Sequence, residues 1–538
     1  MLTKKLEAQL MYMKLVMSLF FISAGSLAAN PSSEAIDRSV ERVMTNFSSP
    51  GMTVSIVENG HVVYSKGHGV LEAGKTEGVS DQTLFQIASI SKAFTAAALA
   101  ILVDEGKLNW DDPVIDHMPE FQMYDPWVTR EFTVRDLLTH RSGLPLGAGD
   151  LLSLPPGNTS RQDIIRALRY LKPSSSFRSK YDYDNLMYVV AGELVSRLSE
   201  SPFEDFVEKR IFLPLGMTDC HASLERAEKI ANRATPHVTV NEGLEVTHSL
   251  ATPEAAPAGG INCNASSMAK WMLFILEGGV TSDGVRLISE EQFSQWMSPV
   301  TLTTTPAFLV ENANSFITAY SLGWFVSSFY GQPLIAHGGG LWGMTSYILI
   351  FPRLDLAFFA SSNTMSEAPR ALIFDMAHQY LSVWAPDRDF DWIALFEEQS
   401  NQEQEDADRV VEEAFSARNE LSNPSLPLSS YAGVYRDAWY GDIYISVKDD
   451  GRLWFHSARS TGLKGPLEHF QYDTFVARWT NRKLMADAYV SFTLTPEGSV
   501  SGISMKAVSP NTDFSFDFHD LDLRFVEPLT EHSESHPK

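Results

Sequence analysis

The chain of 538 residues is long enough for one large domain and a smaller one, because single hydrophobic cores stop growing at about 250–300 residues. Its 44% hydrophobic and 20% charged residues are typical of a globular protein and exclude a disordered, fibrous or multi-span membrane chain. Lys and Arg number 42 against 67 Asp and Glu, and the net charge of -25 makes nucleic acid an unfavourable partner.

The N-terminal segment has the composition of an export signal. A basic start at 4–5 precedes an apolar run at 15–22, and small residues follow up to Ala28. The apolar run is shorter than the ~20 residues that span a bilayer. We therefore predict a signal peptide over residues 1–28, a periplasmic or secreted mature protein, and no stable membrane insertion after cleavage. Met13 is an alternative start, since it opens a shorter signal of the same kind.

The region that follows predicts one antiparallel sheet flanked by helices. Asn59-Gly60 between the alternating runs 51–57 and 61–65 is a strong β-hairpin signal. Further strands are predicted at 323–326, 334–336, 346–350 and 356–360. Helices are predicted at 89–104, 161–170, 185–198, 266–276 and 371–384. Hairpins at both ends of one domain favour a single antiparallel sheet, which makes the fold class α+β.

The C-terminal part differs in pattern. The segment 396–421 is strongly acidic and helical in character, and the proline-containing run 423–427 ends it. Short alternating runs with turn signals then predict a small β-barrel or β-sandwich. The predicted segments are a signal peptide at 1–28, a catalytic domain at 29–390, an acidic helical linker at 391–427 and a β-rich domain at 428–538. We expect the last to fold separately and to cover the active-site cleft.

Two groups of residues could be taken for metal or redox sites. The acidic cluster 403–408 has no His or Cys nearby, and a solvated helix face explains it better than a cation site. Cys220 and Cys263 are the two cysteines of the chain, too few for a cysteine-rich metal site. They form either one disulfide after export or two buried free thiols, and the sequence leaves both alternatives open.

The first chemical motif is Ser89-Ile90-Ser91-Lys92, at the predicted start of a helix. Side chains three residues apart on a helix share a face, so the Ser89 hydroxyl and the Lys92 ammonium can meet. A serine becomes a useful nucleophile when a neighbouring base accepts its proton, and a desolvated lysine with a lowered pKa can be that base. A motif of this length also occurs by chance in many chains.

Two more motifs follow in the chain. Tyr183-Asp184-Asn185 precedes an apolar helix, and its alternative interpretation is a surface turn with a helix cap. His337-Gly338-Gly339-Gly340 follows the strand 334–336, and residues without side chains let a substrate carbonyl approach backbone N–H groups. The alternative interpretation of this glycine run is a tight hairpin turn.

In this order and spacing the three motifs resemble the S-x-x-K, Y-x-N and K-T-G/H-x-G motifs of the serine β-lactamase and penicillin-binding protein superfamily. The segments 133–145, 214–218 and 258–261 look like the same family, and the resemblance covers roughly residues 35–385. It implies that Ser89 is the acylated nucleophile and that Lys92 and Tyr183 exchange its proton. It also implies that Asn185 orients Lys92 and the substrate amide.

The resemblance further implies an oxyanion hole made by the backbone N–H groups of Ser89 and Gly340, with His337 and Gly339 in the substrate-binding motif. Where β-lactamases have Lys followed by a hydroxyl residue, this chain has His337 and Gly338. The chain also offers no clear counterpart to the deacylating glutamate of class A enzymes. Both departures favour the class C, D-aminopeptidase and esterase branch. No metal or cofactor is expected.

On the peptidase and amidase side of that branch, the resemblance implies a serine hydrolase of small linear peptides such as linearised microcystin. The expected partner is thus a small peptide or amide. A β-lactamase or an esterase of the same fold is the alternative within the family. An alternative of another class is a non-catalytic penicillin-binding sensor, which would form one stable adduct per chain rather than turn substrate over.

Overall fold

The computed structural model describes residues 30–240 and 243–529, and the predicted signal peptide lies outside the described residues. The chain forms an antiparallel sheet of eight strands flanked by helices, followed by a closed barrel of eight strands. The predicted α+β class is confirmed. The C-terminal domain is a barrel rather than a sandwich.

The catalytic part contributes twelve strands to the described structure. They are β1 (Gly51–Glu58), β2 (His61–Gly69), β3 (Phe85–Gln86), β4 (His237–Val240), β5 (Gly243–Val246), β6 (Asn262–Cys263), β7 (Thr301–Thr303), β8 (Thr318–Tyr320), β9 (Phe325–Phe329), β10 (Gln332–Leu341), β11 (Met344–Phe351) and β12 (Leu356–Ser362). The large sheet has the order β2-β1-β12-β11-β10-β9-β8-β7, while β3 pairs with β6 and β4 with β5. Strands from the two ends of the domain therefore meet where β1 pairs with β12.

Fourteen α-helices lie in the described ranges. They are α1 (Ser33–Asn46), α2 (Ser91–Asp104), α3 (Val114–His117), α4 (Pro126–Glu131), α5 (Arg161–Ala167), α6 (Leu186–Ser199), α7 (Phe203–Val207), α8 (Leu224–Ala227), α9 (Ala256–Gly259), α10 (Ala265–Leu276), α11 (Glu290–Met297), α12 (Ala307–Ala313), α13 (Ala368–Leu381) and α14 (Trp392–Ser416). None of these helices, nor any other in the described ranges, combines the length and apolarity needed to cross a membrane.

Both faces of the large sheet are covered. On β11, Ile348 and Ile350 join the core that contains α2, α6 and α10, whereas Leu349 and Phe351 join the core that contains α1 and α13. Side chains alternate between the two faces of a strand, so a strand buried on both faces has a continuous apolar sequence. Helix α2 is buried from Ser91 to Leu102, as its apolar character on all sides predicts.

Helix α14 connects the two domains. Its first turns are buried, with Trp392 and Phe396 in the core of the sheet, while Val411 and Phe415 near its end pack against the barrel. The acidic run 403–406 between them is exposed to solvent. A helix that anchors both of its ends in cores can carry an acidic, solvated middle.

The barrel closes in sequence order, with each strand antiparallel to the next. Its strands are β13 (Gly433–Asp437), β14 (Gly441–Val447), β15 (Leu453–Ser457), β16 (Lys464–Gln471), β17 (Thr474–Ala477), β18 (Ala488–Leu494), β19 (Val500–Ala507) and β20 (Leu523–Glu527). The connection between β19 and β20 contains the segment 513–517, which we call the barrel loop. This loop reaches the catalytic domain.

Cys220 and Cys263 form a disulfide, with their Cα atoms 4.4 Å apart. Of the two alternatives that the sequence left open, the structure therefore contains the bridge. Cys263 pairs with Phe85 of β3, the strand that leads to Ser89. This pairing and the disulfide together connect β3, the strand before Ser89, to residues more than a hundred positions later in the chain.

Candidate active site

Ser89 lies in a 3₁₀ turn, Ala88–Ile90, between β3 and α2. The sequence predicted that the α-helix starts at Ser89, whereas it begins at Ser91. Ala88 has a left-handed φ of 46°, a conformation that costs about 1–3 kcal/mol for a residue with a side chain. The turn lies at the wall of a cavity, and Ser89 lines it.

Strand β10 packs directly on this turn. A Cβ on Gly339 would lie 2.3 Å from the carbonyl oxygen of Ile87, and a Cβ on Gly338 would lie 2.8 Å from the ring of Tyr347. Only glycine permits an approach this close. The glycine run therefore lies inside a strand that continues to Leu341, and neither a strand end nor a hairpin turn describes it.

Gly340 lines the same cavity as Ser89 and has open space where a Cβ would stand. A two-residue turn joins Leu341 to its partner Met344, so this pair exchanges ladder hydrogen bonds and the next pair, Gly340 with Thr345, does not. The backbone N–H of Gly340 thus points away from β11.

Lys92 is fully buried one helical turn after Ser89. Its Nζ lies 3.2 Å from Oγ of Ser89, 2.7 Å from Oδ1 of Asn185 and 2.8 Å from the carbonyl oxygen of Ala258. The amide oxygen and the carbonyl oxygen can only accept hydrogen bonds, so they take two N–H groups of Lys92. The third position on the nitrogen faces the serine hydroxyl.

Burial lowers the pKa of Lys92 to about 7, and the nearby carboxyl groups of Asp150 and Asp184 oppose this shift. Desolvation dominates because an ammonium removed from water loses its hydration. A lysine with such a pKa is neutral in a large fraction of molecules near neutral pH. Its nitrogen then has a lone pair to accept a proton.

Tyr183 completes a cluster around Ser89. Its ring centroid lies 4.7 Å from Nζ of Lys92, and the Ser89 side chain is near enough to its hydroxyl to oppose part of the effect of burial on the pKa of Tyr183. Burial raises the pKa of Tyr183 well above its ordinary value. The side chain is consequently a protonated phenol at neutral pH, which can donate a proton but is a poor base.

The segment before α6 is partly buried rather than an exposed surface turn. Asp184 is inaccessible to solvent; its Oδ1 accepts a hydrogen bond from the Leu186 N–H at 2.9 Å and its Oδ2 accepts one from the Ser142 hydroxyl at 3.2 Å. Burial raises the pKa of Asp184 to about 7. These bonds fix the backbone that carries Tyr183 on one side and Asn185 on the other.

Asp150 joins the site although no sequence pattern marked it. Its Oδ2 accepts hydrogen bonds from Nδ2 of Asn185 at 2.8 Å and from the hydroxyl of Ser515 at 3.0 Å. Burial raises the pKa of Asp150 to about 7. Ser515 belongs to the barrel loop, 365 positions further along the chain, and such proximity leaves no local signal in a sequence.

His337 lies beside this cluster and is 2% exposed. Its Nδ1 donates to the Gly338 carbonyl oxygen at 2.6 Å, and its Nε2 accepts from the Tyr320 hydroxyl at 2.9 Å. Burial lowers the pKa of His337 to about 3, with Lys92 adding to the shift. The imidazole is therefore neutral, and its role in binding substrate stays a prediction, as does that of Gly339.

The ring of His140 packs against the ring of Tyr183, with the ring centroids 4.2 Å apart. Its Nδ1 accepts a hydrogen bond from the backbone N–H of Asp184 at 3.1 Å. Burial lowers the pKa of His140 well below its ordinary value, so this ring is also neutral. These contacts are those of a packed, hydrogen-bonded histidine with a structural role.

The cavity at Ser89 has a volume of about 100 Å³. Its apolar wall comes from both domains and consists mainly of Leu154, Leu186, Val189, Leu250 and Phe514. Among the described residues that line it there is no Lys or Arg, and its charged groups are Asp150 and Asp513. The arrangement suits an uncharged substrate group next to the reacting carbon.

The described parts of the chain contain no group of three or more His, Cys, Asp or Glu side chains arranged to hold a metal ion. The sequence motifs marked Ser89, Lys92 and Tyr183, which the structure places together, but Asp150 and the barrel loop became visible only through the fold. Phe514 of this loop lies 6.0 Å from Tyr183, measured between ring centroids.

The chain is similar to known proteins over almost its whole length. It is 28% identical over 504 residues to a protein named unguisins hydrolase ungD' from Aspergillus campestris, covering 90% of this chain and 91% of the relative. A second unguisins hydrolase, ungD from Aspergillus violaceofuscus, is 25% identical over 514 residues, with 88% of each chain covered. Protein flp from Staphylococcus aureus is 26% identical over 347 residues, covering 63% of this chain and 64% of the relative.

A solved structure titled the octameric penicillin-binding protein homologue from Pyrococcus abyssi has the same fold, with a TM-score of 0.58 and 20% identity, covering 92% of this chain and 100% of that one. Residues 417–525 match a family model described as a domain of unknown function, DUF3471. Residues 36–379 match the model described as Beta-lactamase. The chain therefore belongs to the beta-lactamase family.

Proposed function

We propose that this protein is a serine hydrolase that cleaves amide and peptide bonds through an acyl-enzyme on Ser89. The observation that carries the proposal is the cluster of Ser89, Lys92 and Tyr183, in which the lysine nitrogen lies 3.2 Å from the serine oxygen and 4.7 Å from the centroid of the tyrosine ring. Family membership supports hydrolysis, and so do two relatives that are named hydrolases and match over about nine tenths of the chain.

The geometry around Lys92 supports its action as the general base. When neutral, its two N–H groups bond Asn185 and Ala258, so its lone pair is directed at the Ser89 hydroxyl. The Ser89 oxygen attacks the substrate carbonyl carbon and its proton passes to Lys92. Tyr183, still protonated, gives its proton to the leaving amine as the C–N bond breaks, and Lys92 returns a proton to Tyr183.

A water molecule then attacks the acyl-enzyme, its proton passes to the same base, and release of the carboxylic acid product restores the Ser89 hydroxyl. The backbone N–H groups of Ser89 and Gly340 would stabilise the negative oxygen of each tetrahedral intermediate. The register of β10 supports this role for Gly340, since its N–H is not used in the ladder with β11. Each such donor contributes roughly 3–4 kcal/mol to transition-state stabilisation in related reactions.

The proposed substrates are small linear peptides such as linearised microcystin. The mainly apolar cavity supports an uncharged side chain beside the acyl carbon, and the carboxyl groups of Asp150 and Asp513 disfavour an anionic one. The neutral His337 stands where β-lactamases have a lysine that holds the carboxylate of the drug. A β-lactam carboxylate would therefore find no fixed cation at this position.

We also propose that the mature protein is periplasmic or secreted. The basic and apolar N-terminal segment supports export, and the Cys220–Cys263 disulfide supports an oxidising compartment. Peptides that reach such a compartment would be accessible to the enzyme.

The test compares kcat/KM for a penicillin or cephalosporin with kcat/KM for a linear peptide that contains D-residues, on one preparation. We expect the peptide to be preferred, because loss of a charge-assisted hydrogen bond of roughly 1.5–3 kcal/mol slows β-lactam turnover by about one to two orders of magnitude. A wide margin in favour of the β-lactam would identify a β-lactamase instead. A single stable adduct per chain, without turnover of any substrate, would identify a sensor.

A further inference from the structure

The barrel loop makes polar contacts inside the catalytic domain. The Asp517 carboxyl group is fully buried and accepts hydrogen bonds from the backbone N–H groups of Gly149 and Leu151, at 2.6 and 3.0 Å. Between these two residues lies Asp150, whose side chain accepts the hydrogen bond from Ser515. The loop therefore holds both the backbone and the carboxyl group of Asp150.

Asp150 in turn decides how the amide of Asn185 is oriented. Its Oδ2 lies 2.8 Å from Nδ2 of Asn185, and the other atom of the amide, Oδ1, lies 2.7 Å from Nζ of Lys92. The pKa of Asp150 of about 7 leaves a large fraction of its carboxyl groups ionised at neutral pH, and this form only accepts hydrogen bonds, so it selects the NH₂ side of the amide. The reversed amide would place two donors, NH₂ and the lysine nitrogen, against each other.

We propose that Asp150 and Ser515 are positioning residues, through which the barrel loop fixes the Asn185 amide in the orientation that holds Lys92 against Ser89. The inference rests on the proposed function, because it assigns a role in the acylation of Ser89. It makes the barrel a structural part of the active site rather than a cover over the cleft. Outer-shell partners that orient metal ligands contribute about 10- to 100-fold to activity, and we expect an effect of the same size here.

The charges at this point predict a pH signature. The titratable groups that face Asp150 are Lys92 from α2, Tyr183 and Asp184 from the segment before α6, and Asp517 from the barrel loop. The charge of Asp150 raises the pKa of Lys92, and the bond from Ser515 lowers the pKa of Asp150. Removing either influence lowers the pKa of Lys92, which moves the acidic limb of the rate profile to lower pH.

Four variants test the inference with a chromogenic amide or ester, with kcat and KM measured from pH 5 to 9 in about half-unit steps. Asp150→Asn retains an acceptor for Asn185 but loses the charge, so we expect a shift of the acidic limb to lower pH. Asp150→Ala frees the amide, and we expect kcat to fall by about 10- to 100-fold with little change in KM. Ser515→Ala should lower kcat several-fold and shift the acidic limb to lower pH. Ser515→Thr keeps a hydroxyl donor and should retain the wild-type kcat and limb.

The matched control is Ser509→Ala, since the Ser509 hydroxyl accepts a hydrogen bond from the Asn511 backbone in the same connection between strands. It should keep the wild-type kcat and pH profile. Folded Asp150→Ala and Ser515→Ala proteins with the wild-type kcat and limb would overturn the inference. A failure of the proposed function looks different: the wild type itself turns over no amide or ester, and a serine-directed phosphonate labels wild type and Ser89→Ala equally.

Discussion

The Ser89 turn and the barrel loop border the same cavity, and they reach it in different ways. The hydroxyl of Ser89 in the turn and the amine of Lys92 come from residues three positions apart, so the turn and the start of α2 directly after it bring them together. The loop brings Ser515 to Asp150 across 365 positions of sequence. Reactive groups can thus be encoded locally, whereas the partners that orient them come from any part of the chain.

The two regions also differ in the groups that they bury. The turn contains Ala88 in a left-handed conformation, and the helix after it buries Lys92, which disfavours the charged form of the side chain. Both features lower the stability of the fold. The barrel loop buries Asp517 against two backbone N–H groups, which compensates part of the loss of hydration. The strained region is the one to which we assign the chemistry, and the loop next to it supplies support.

The largest effect should come from Ser89→Ala. We expect kcat to fall by at least ~10⁴-fold, because the remaining groups have no nucleophile to activate. The thermal midpoint should change little, since the hydroxyl contributes no core volume. Steady-state kinetics and a melting curve on the same sample check both. Retained turnover in a folded variant would remove Ser89, and with it the contrast between turn and loop.

Lys92→Met and Tyr183→Phe should each lower kcat by at least ~100-fold, the scale of a lost proton-transfer group. Methionine fills the volume of the buried lysine without a charge that needs hydration. The free energy of unfolding of the Lys92→Met variant at neutral pH should therefore be at least that of the wild type. Rates and denaturant unfolding curves provide the measurement. If a variant keeps kcat within a few-fold of the wild type, the residue that it replaces has no part in proton transfer.

The smallest effect is that of pH on the wild type. Lys92 must be neutral to accept the Ser89 proton, and its pKa is lowered to about 7. We therefore expect kcat/KM to be constant well above this value and to fall about tenfold for each pH unit below it. A rate profile from pH 5 to 9, with stability checked at each end, measures the limb. A rate that still rises about tenfold per pH unit up to pH 9, as the ordinary lysine pKa of about 10.4 requires, would contradict the burial argument.

The sequence predicted most of the elements that carry the site. The helix bounds 161–170, 185–198 and 266–276 agree with the structure within a few residues, because their apolar periodicity is set by the core that they face. The short strands β7 and β8, with three residues each, were not predicted. Segments this short carry too little pattern, and their pairing along the sheet edge decides them.

The sequence by itself pointed to Ser89, Lys92 and Tyr183, the trio to which we assign the chemistry, and the structure brings these residues together. The glycine run 338–340 was also visible, but only the packing of β10 against Ile87 explains why it must be glycine. Asp150, Phe514 and the barrel loop belong to the tertiary structure. Proximity in a fold arises from domain packing, and a single sequence records which residues are reactive far better than which distant residues support them.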